Sequence, residues 1–498
     1  MADARRLAKN TLFMYVRMIL IMVVSIYTSR VVLDKLGIDD YGIYNAVASI
    51  VAIVSFLNTT LSTSTSRYLT YDLGQEEEQK LRNTFSTSFY VLILIILESV
   101  GLWYMGHKFV IPEGRDFAVH TVYQISIITT VIAVIQVPFT AVIMAHENMD
   151  VYAYVGIFEV FAKLAIVYLL TISPIDALIF YAALIACVQL IVTLLYVFIS
   201  RHKYAETHFG LNFNKETFRG MMGFTGWTAV ANLSNTVIVQ GATVLLNLFF
   251  APAIIAAKAL ANQITNAVMQ FVNNFRVALN PQIIKSYAAG EIDEFKRWSL
   301  RSTVITSNLM LIIGLPCVAS MKAILNIWLV KVPPLAVEFT QLAIISQIIN
   351  TISASTYIPF VASGKLKWNA IWGVVISIAY FASMYIVFRL GWSALWVQWL
   401  YVVAAFVSAL ILRPVLLHKE VGFSYEEVYS CTWNCLKPTF VACIVAYGTS
   451  LLFKETVLQQ MILFGVVLIE TCAAVWIFLE KPLRKYTVEV VKSKMKKG

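Results

Sequence analysis

Charge is scarce in this chain of 498 residues. Only 13% of its side chains are Asp, Glu, Lys or Arg, 59% are hydrophobic, and the mean hydropathy is +0.75. A soluble globular protein of this length has no use for so much apolar surface, so the shortage excludes that class. Cysteine is sparse too. The six are scattered, four of them within apolar runs, and Cys431 and Cys435 stand one helical turn apart rather than in a metal-binding Cys-x-x-Cys spacing. We read them as reduced and structural. The histidines, from His107 to His418, fall in connectors or near the ends of apolar runs and lack metal-ligand spacing. A phosphate loop, a nucleophile elbow and a glycine-rich dinucleotide turn are missing as well. That argues against an ATP-driven pump, and less strongly against a membrane transferase built from scattered residues. No cofactor is expected.

What the chain has is length of apolar sequence. About fourteen runs of about twenty residues recur from end to end, each long enough to cross the hydrocarbon core. Connectors are short, the longest lying between Arg413 and Pro438, and none could fold as a separate soluble domain. The expected class is an all-α polytopic integral membrane protein. Its first apolar run is too long for a signal-peptide core and has no small-residue cleavage site, so it is expected to stay as a helix.

The formal charge of +10 would suit nucleic acid, but the placement of the charge does not. With the N-terminus in the cytoplasm, about twenty-six of the thirty-eight Lys and Arg fall on the cytoplasmic side and about eight outside. Arg5/Arg6/Lys9, Arg201/Lys203/Lys215/Arg219, Lys285/Lys296/Arg297/Arg301 and the tail from Lys481 are the main clusters. Both termini come out cytoplasmic. The tail suits anionic lipid, so membrane lipids are expected partners and nucleic acid is not.

The connectors at Gly74 and Gly290 share a pattern: glycine, an acidic cluster, then basic residues. Each follows a Leu-rich helix end, at Leu33 and Leu246, by about forty residues, which implies a repeat of about six spans. An even number of spans keeps both halves in one orientation, related by an axis along the membrane normal. The expected division is an N-lobe of helices 1–6 over 1–200 and a C-lobe of helices 7–12 over 201–413. An interfacial connector with helices 13 and 14 follows over 414–480, and a basic tail over 481–498. The fourth span is expected to end at Pro138, where the missing amide and the ring clash bend or break a helix, and Pro316 and Pro359 give the ninth and tenth places to bend. Phe423 to Cys435 reads as an amphipathic connector on the inner surface.

One long segment, from Gly241 to Gly290, carries the lead to function. Asn262, Asn266, Asn273, Arg276 and Asn280 fall on one narrow stripe of a helix whose other faces are Ala, Val, Ile, Met and Phe. Such a stripe must turn toward protein or a watery cavity rather than lipid. Asn232 lies on a similar polar side of the preceding span. Arg17, Arg30 and Arg67 stand in or beside the first two spans. Glu159 and Lys163 form an i, i+4 pair in the fifth, which also reads as a structural pair between helices. Glu98 sits inside an Ile/Leu run, and Glu470 in the last span has no evident partner. Each cation singly reads as snorkelling or interhelical bonding. Together they suit a multiply charged anion such as a diphosphate, because guanidinium binds phosphate oxygens bidentately, with the amides suited to sugar hydroxyls. A carboxylate that binds H⁺ or Na⁺, such as Glu159 or Glu98, would couple the reset step to an ion gradient.

Several local sequences carry a family resemblance. Thr28-Ser-Arg30-Val-Val-Leu33 with Asp40-Tyr-Gly-Ile-Tyr-Asn45, Ser66-Arg67-Tyr68-Leu69-Thr70, Pro138-Phe139, Ala145-His146-Glu147 and Glu159-Val160 with Lys163-Leu164 are the first set. Gln240-Gly241, Leu246-Asn247, Ala256-Ala257 and Asn280-Pro281-Gln282-Ile283 with Lys285-Ser286-Tyr287-Ala288 are the second. Together they resemble bacterial polysaccharide-biosynthesis flippases, of the O-antigen type, within the multidrug/oligosaccharidyl-lipid/polysaccharide exporter superfamily. The resemblance covers nearly the whole chain. It implies two six-helix lobes plus two C-terminal helices and alternating access around a central cationic cavity. The implied substrate is an undecaprenyl-diphosphate-linked oligosaccharide moved from the cytoplasmic to the periplasmic leaflet of the bacterial inner membrane. Helices 13 and 14 would flank a groove for its lipid tail, and other polysaccharide-assembly membrane proteins are conceivable partners. Arg17, Arg30, Arg67 and Arg276 are the expected diphosphate contacts, with Lys163 added to the binding set. Asn232, Asn262, Asn266 and Asn273 are expected on the sugars. A drug or cation antiporter of the same superfamily would show an acidic cavity, and a polysaccharide polymerase a large periplasmic loop; neither pattern is evident in the sequence.

Overall fold

The computed structural model of the chain describes residues 20–49, 79–90, 115–146, 148–173, 175–207, 236–365, 367–454 and 456–479, with a few isolated positions between them. Helix is the only regular structure among the described residues. Eight of the described helices are long and apolar enough to cross a membrane, so the chain is a multi-pass membrane protein. Of the other expected spans, the first, second, third and seventh fall partly or wholly outside the described residues, while the eighth and thirteenth are described as helices, Pro252–Ala288 and Tyr425–Ser450, that are less apolar. The chain divides into two compact units, Met1–Ala259 with Ser377–Phe388, and Leu260–Ile376 with Arg389–Gly498.

The first unit begins with α1 (20–36) and α2 (38–49), joined at Gly37, whose φ of +80° favours glycine. Then come α3 (79–90), α4 (Asp116–Ala145), α5 (Met149–Leu169) and α6 (Ala177–Lys203). Asp176 caps α6, accepting from the amides of Leu178 and Ile179 at 3.0 and 3.3 Å, and Arg201, His202 and Lys203 in its last turn complement the helix dipole. A π-helical turn, Val237–Gly241, leads into α7 (Ala242–Phe249), and α8 (Pro252–Ala288) starts here and runs on into the second unit.

Pro138 does not end α4, which continues through it to Ala145. The missing amide is the one that would serve the Val134 carbonyl, a single hydrogen bond out of a 30-residue helix whose turns next to the proline are held by side-chain contacts. Thr140 Oγ1 donates to Val137 O at 2.9 Å, and Ser200 Oγ on α6 to Phe139 O at 3.3 Å. Phe85, Phe89 and Phe139 meet edge to face with centroids 5.3 to 5.8 Å apart. In lipid such contacts hold helices by close packing rather than by expelling water. Close approach also explains Gly42: a Cβ there would lie 1.9 Å from the carbonyl oxygen of Pro252, so the backbones of α2 and α8 touch at this point.

The second unit holds α9 (Ile292–Ala319), α10 (Met321–Trp328), α11 (Ala336–Ser355), α12 (Ile358–Ser363) and the two ends of α13 (Lys367–Arg389), whose middle, Ser377–Phe388, belongs to the first. It is completed by α14 (Trp396–Val421, with two π-helical turns), α15 (Tyr425–Ser450) and α16 (Val457–Phe478). Helix α9 packs against α11, α15 and α16, and α11 against α14. Gly422, with φ +89°, stops α14, and Ser424 starts α15 through a capping box with Glu427. The structure therefore differs from the expected surface connector at Phe423–Cys435. That stretch is the opening of a 26-residue helix, and Val428, Cys431, Thr432 and Cys435 form its buried face. The amphipathic pattern is real, but protein covers it: Cys431 Sγ reaches Leu300 O on α9 at 3.5 Å.

Candidate functional site

Helix α8 is the longest described element, with 37 residues, roughly 55 Å at 1.5 Å per residue, which exceeds a hydrocarbon core of about 30 Å. Its polar stripe is present as a structural feature. Asn262, Asn273, Arg276 and Asn280 are partly buried and Asn266 is exposed, whereas Phe271 and Phe275 on the opposite side are 52% and 44% exposed. One side of the helix therefore suits acyl chains and the other polar groups. Arg276 Nη2 donates to Asn273 Oδ1 at 2.7 Å, an i, i+3 bond that fixes the guanidinium along the stripe. Gln270 Oε1 and Asn280 Oδ1 are buried and have no hydrogen-bond partner among the described residues. This face has spare bonding capacity.

The other expected residues separate into three groups. Arg17, Arg67, Asn232 and Glu98 lie outside the described residues. Arg30 is exposed on α1. Lys163 donates to Glu159 at 2.6 Å on an outer face of α5, with side chains 47% and 28% exposed, so each already answers the other's charge.

Three features were missed by sequence reasoning. Lys258 is the first: it is buried on α8, four residues before Asn262, and donates to Val239 O at 3.1 Å and Thr243 Oγ1 at 2.9 Å. The signal was available, because Lys258, Asn262 and Asn266 continue one i, i+4 series. Arg413 is the second. Its Nε donates to Ser353 Oγ at 3.1 Å and its Nη1 to Asn369 Oδ1, between the rings of Tyr357 and Phe360 at 5.9 and 5.7 Å. No local pattern reveals it, because its partners come from α11 and α13. The third is an apolar cavity of about 860 Å³ in the second unit, lined by Leu315, Ile348, Phe406, Phe440, Tyr447 and Phe478 among others, with Gln341, Lys437 and Ser450 among its few polar residues. Glu470, left unexplained by its sequence, accepts from Thr449 at 2.6 Å through Oε1, while its Oε2 is buried without a partner among the described residues.

The first unit treats a cation differently. Arg115, before α4, bonds both Asp40 and Asp176, tying the starts of α2, α4 and α6 together. Burial pushes the Arg115 guanidinium toward losing its proton, but the two carboxylates outweigh it and hold the charge more firmly than usual. Burial raises Asp40 above the usual carboxylate range, with Asp176 beside it adding to the rise against the pull of Arg115.

Residues 6–287 match the model of a family described as polysaccharide biosynthesis protein. No curated protein matches the chain. Among solved structures it is similar to the lipid II flippase MurJ in an inward closed conformation, at 12% identity and a TM-score of 0.69, covering 93% of this chain and 98% of that one. It is also similar to a multidrug-resistance MATE transporter of the MOP superfamily in an inward-facing conformation, at 12% identity and a TM-score of 0.64, covering 82% and 99%. A MOP-superfamily transporter from Pyrococcus furiosus, reported to have a binding pocket of reversed polarity, follows at 12% identity and a TM-score of 0.59, covering 82% and 96%. At these identities the likeness establishes the fold, which is that of MOP-superfamily transporters.

Proposed function

From the premise that this chain belongs to the polysaccharide biosynthesis protein family, we propose that it is a flippase for lipid-diphosphate-linked oligosaccharides. It would carry undecaprenyl-diphosphate sugars from the cytoplasmic to the outer leaflet of a bacterial inner membrane by alternating access, with both termini cytoplasmic and lobes at 1–200 and 201–413. The observation that carries this reading is Arg276: a half-buried guanidinium answered by an amide rather than by a carboxylate. A cation so placed keeps its field for an incoming anion, and guanidinium matches phosphate oxygens bidentately. Asn262, Asn266 and Asn273, with the unpartnered oxygens of Gln270 and Asn280, supply hydrogen bonds for sugar hydroxyls without demanding one stereochemistry. The cavity beside α15 and α16 supports a lipid tail, being apolar along most of its length with Lys437 among its few polar residues. The printed substrate of one similar structure, lipid II, supports the same chemical class.

In this role the protein is a carrier and not an enzyme: its residues bind, orient and release, and no covalent step is asked of them. Ion coupling by Glu159 is disfavoured by its closed pair with Lys163. A second reading, export of an organic cation, draws on the likeness to a multidrug transporter and on the unpartnered Oε2 of Glu470.

The test is reconstitution into liposomes with labelled undecaprenyl-diphosphate sugar and leaflet-resolved detection. Wild-type protein should move the label and Arg276→Ala should move it roughly 100-fold more slowly, with both variants recovered in the membrane in equal amounts. Equal rates in the two would remove Arg276 from the site. Movement of organic cations but not of the sugar lipid would favour the second reading.

A further inference from the structure

One buried polar cluster in the first unit is one for which the proposed substrate has no use. Lys258 is 4% exposed, and among the described residues its Nζ has two acceptors, Val239 O and Thr243 Oγ1, and no carboxylate. Thr243 Oγ1 also donates to Val239 O at 3.3 Å, so one carbonyl serves two side chains. Val239 lies inside the π-helical turn, a register that releases a carbonyl from its usual helical bond and often marks a functional position.

We propose that Lys258 is a proton-binding site coupled to opening of the outer end of this unit. An ammonium has three N–H donors and a neutral amine two. The site supplies two oxygens, so it is complete for the amine and one acceptor short for the ammonium. A charged lysine in such a place is costly unless water or another acceptor reaches it. Lys258 stands six residues into α8, roughly 9 Å along the helix from Pro252. At Pro252 the backbone of α8 touches that of α2 at Gly42. Separation of those two backbones admits water to Nζ, and the amine then takes a proton from the outer side. Reclosure with only two acceptors expels the proton. The chemistry is one N–H bond formed and broken, with water as the proton source and sink and no other reactant.

Few groups compete for this proton. The segment Val237–Phe250 carries no ionisable side chain. The start of α2 brings Asp39, which is exposed, Asp40, which is bonded to Arg115, and Tyr41. The part of α13 within this unit brings Tyr380 and Tyr385, the latter against Phe249. On α8 itself the next charged residue is Arg276. If the protein is the carrier proposed above, and the transport half of this inference rests on that reading, Lys258 takes a proton from outside during export and releases it inside on return.

The experiment places spin labels at Ile38→Cys and Ala251→Cys, in a background with the six native cysteines replaced, in lipid nanodiscs between pH 5 and 9. The expected result is a shift toward longer distances at acid pH in the wild-type lysine background. Lys258→Met should stay at the short distance throughout, and Lys258→Arg, permanently charged, at the long one. A distance independent of pH with Lys258 present, or a pH response retained by Lys258→Met, would overturn the proposal. Lys258→Arg guards against misreading a folding defect in the methionine variant. Sugar-lipid transport under an imposed pH gradient is a separate measurement: its absence in the wild type bears on the substrate, while the distances still decide the lysine.

Discussion

Arg115 and Arg276 are both guanidiniums held partly out of water, one in each unit, and they differ in what answers their charge. Arg115 faces two carboxylates from two other helices. Arg276 has the amide oxygen of Asn273, and Arg413, also in the second unit, has a hydroxyl, an amide oxygen and two aromatic rings. The first arrangement cancels the cation and uses it as a clasp. The second leaves the cation's field intact, at a cost in stability, and an anion entering the site would relieve that cost. On the proposed reading, Arg115 is an anchor and Arg276 a receptor.

That contrast is open to attack in four places. The largest effect should be functional: Arg276→Ala is expected to slow sugar-lipid movement by roughly 100-fold, the equivalent of about 3 kcal/mol for a lost charged contact to phosphate. Its thermal unfolding in detergent should stay within about 0.5 kcal/mol of wild type, because no carboxylate is left stranded. A large loss of stability would make Arg276 an anchor after all. Next, Arg115→Met should strand Asp40 and Asp176 together and destabilise the first unit. Breaking a buried pair costs about 3–5 kcal/mol, and since these side chains are 19% to 30% exposed, about 2 kcal/mol is expected. Adding Asp40→Asn should recover part of it, and an unchanged melting temperature in Arg115→Met would sink the clasp.

A smaller effect is expected at Glu427, in the first turn of α15. Burial pushes its carboxyl up, but the Ser424 amide and Lys296 pull it further down, so the net direction is below the usual glutamate value of 4.5. A depressed carboxyl adds stability above its unfolded value and loses it as pH falls through the lower folded value. Acidification below about pH 4.5 should therefore remove about 0.5 kcal/mol or less from wild type, the size of an exposed ion pair. Glu427→Gln should lack that increment already at neutral pH. Smallest of all, the paired change Glu159→Gln with Lys163→Met should alter stability by no more than about 0.5 kcal/mol and leave ion-gradient dependence as it was. Loss of that dependence would restore Glu159 as a coupling group.

Part of this was legible beforehand because it is local. The stripe from Asn262 to Asn280 needs only the helical repeat, and the apolar runs need only the thickness of a bilayer. The same local logic went astray at Pro138, where the helix loses one hydrogen bond of many and packing against α6, with Ser200 bonded to Phe139 O, carries it on to Ala145. At Phe423–Cys435 it found the correct apolar face and assigned it to lipid, although α9 covers it. Arg413 was invisible for a different reason: Ser353 and Asn369 are 60 and 44 residues away from it in sequence.

By itself the amino-acid order determined that this is a helical membrane protein and which line along α8 is polar, because hydropathy and a 3.6-residue period act over a few turns of chain. Which cations are neutralised and which stay available was settled only in three dimensions. A charge is answered by whatever lies within a few ångströms, and for Arg115, Lys258 and Arg413 those neighbours arrive from other helices.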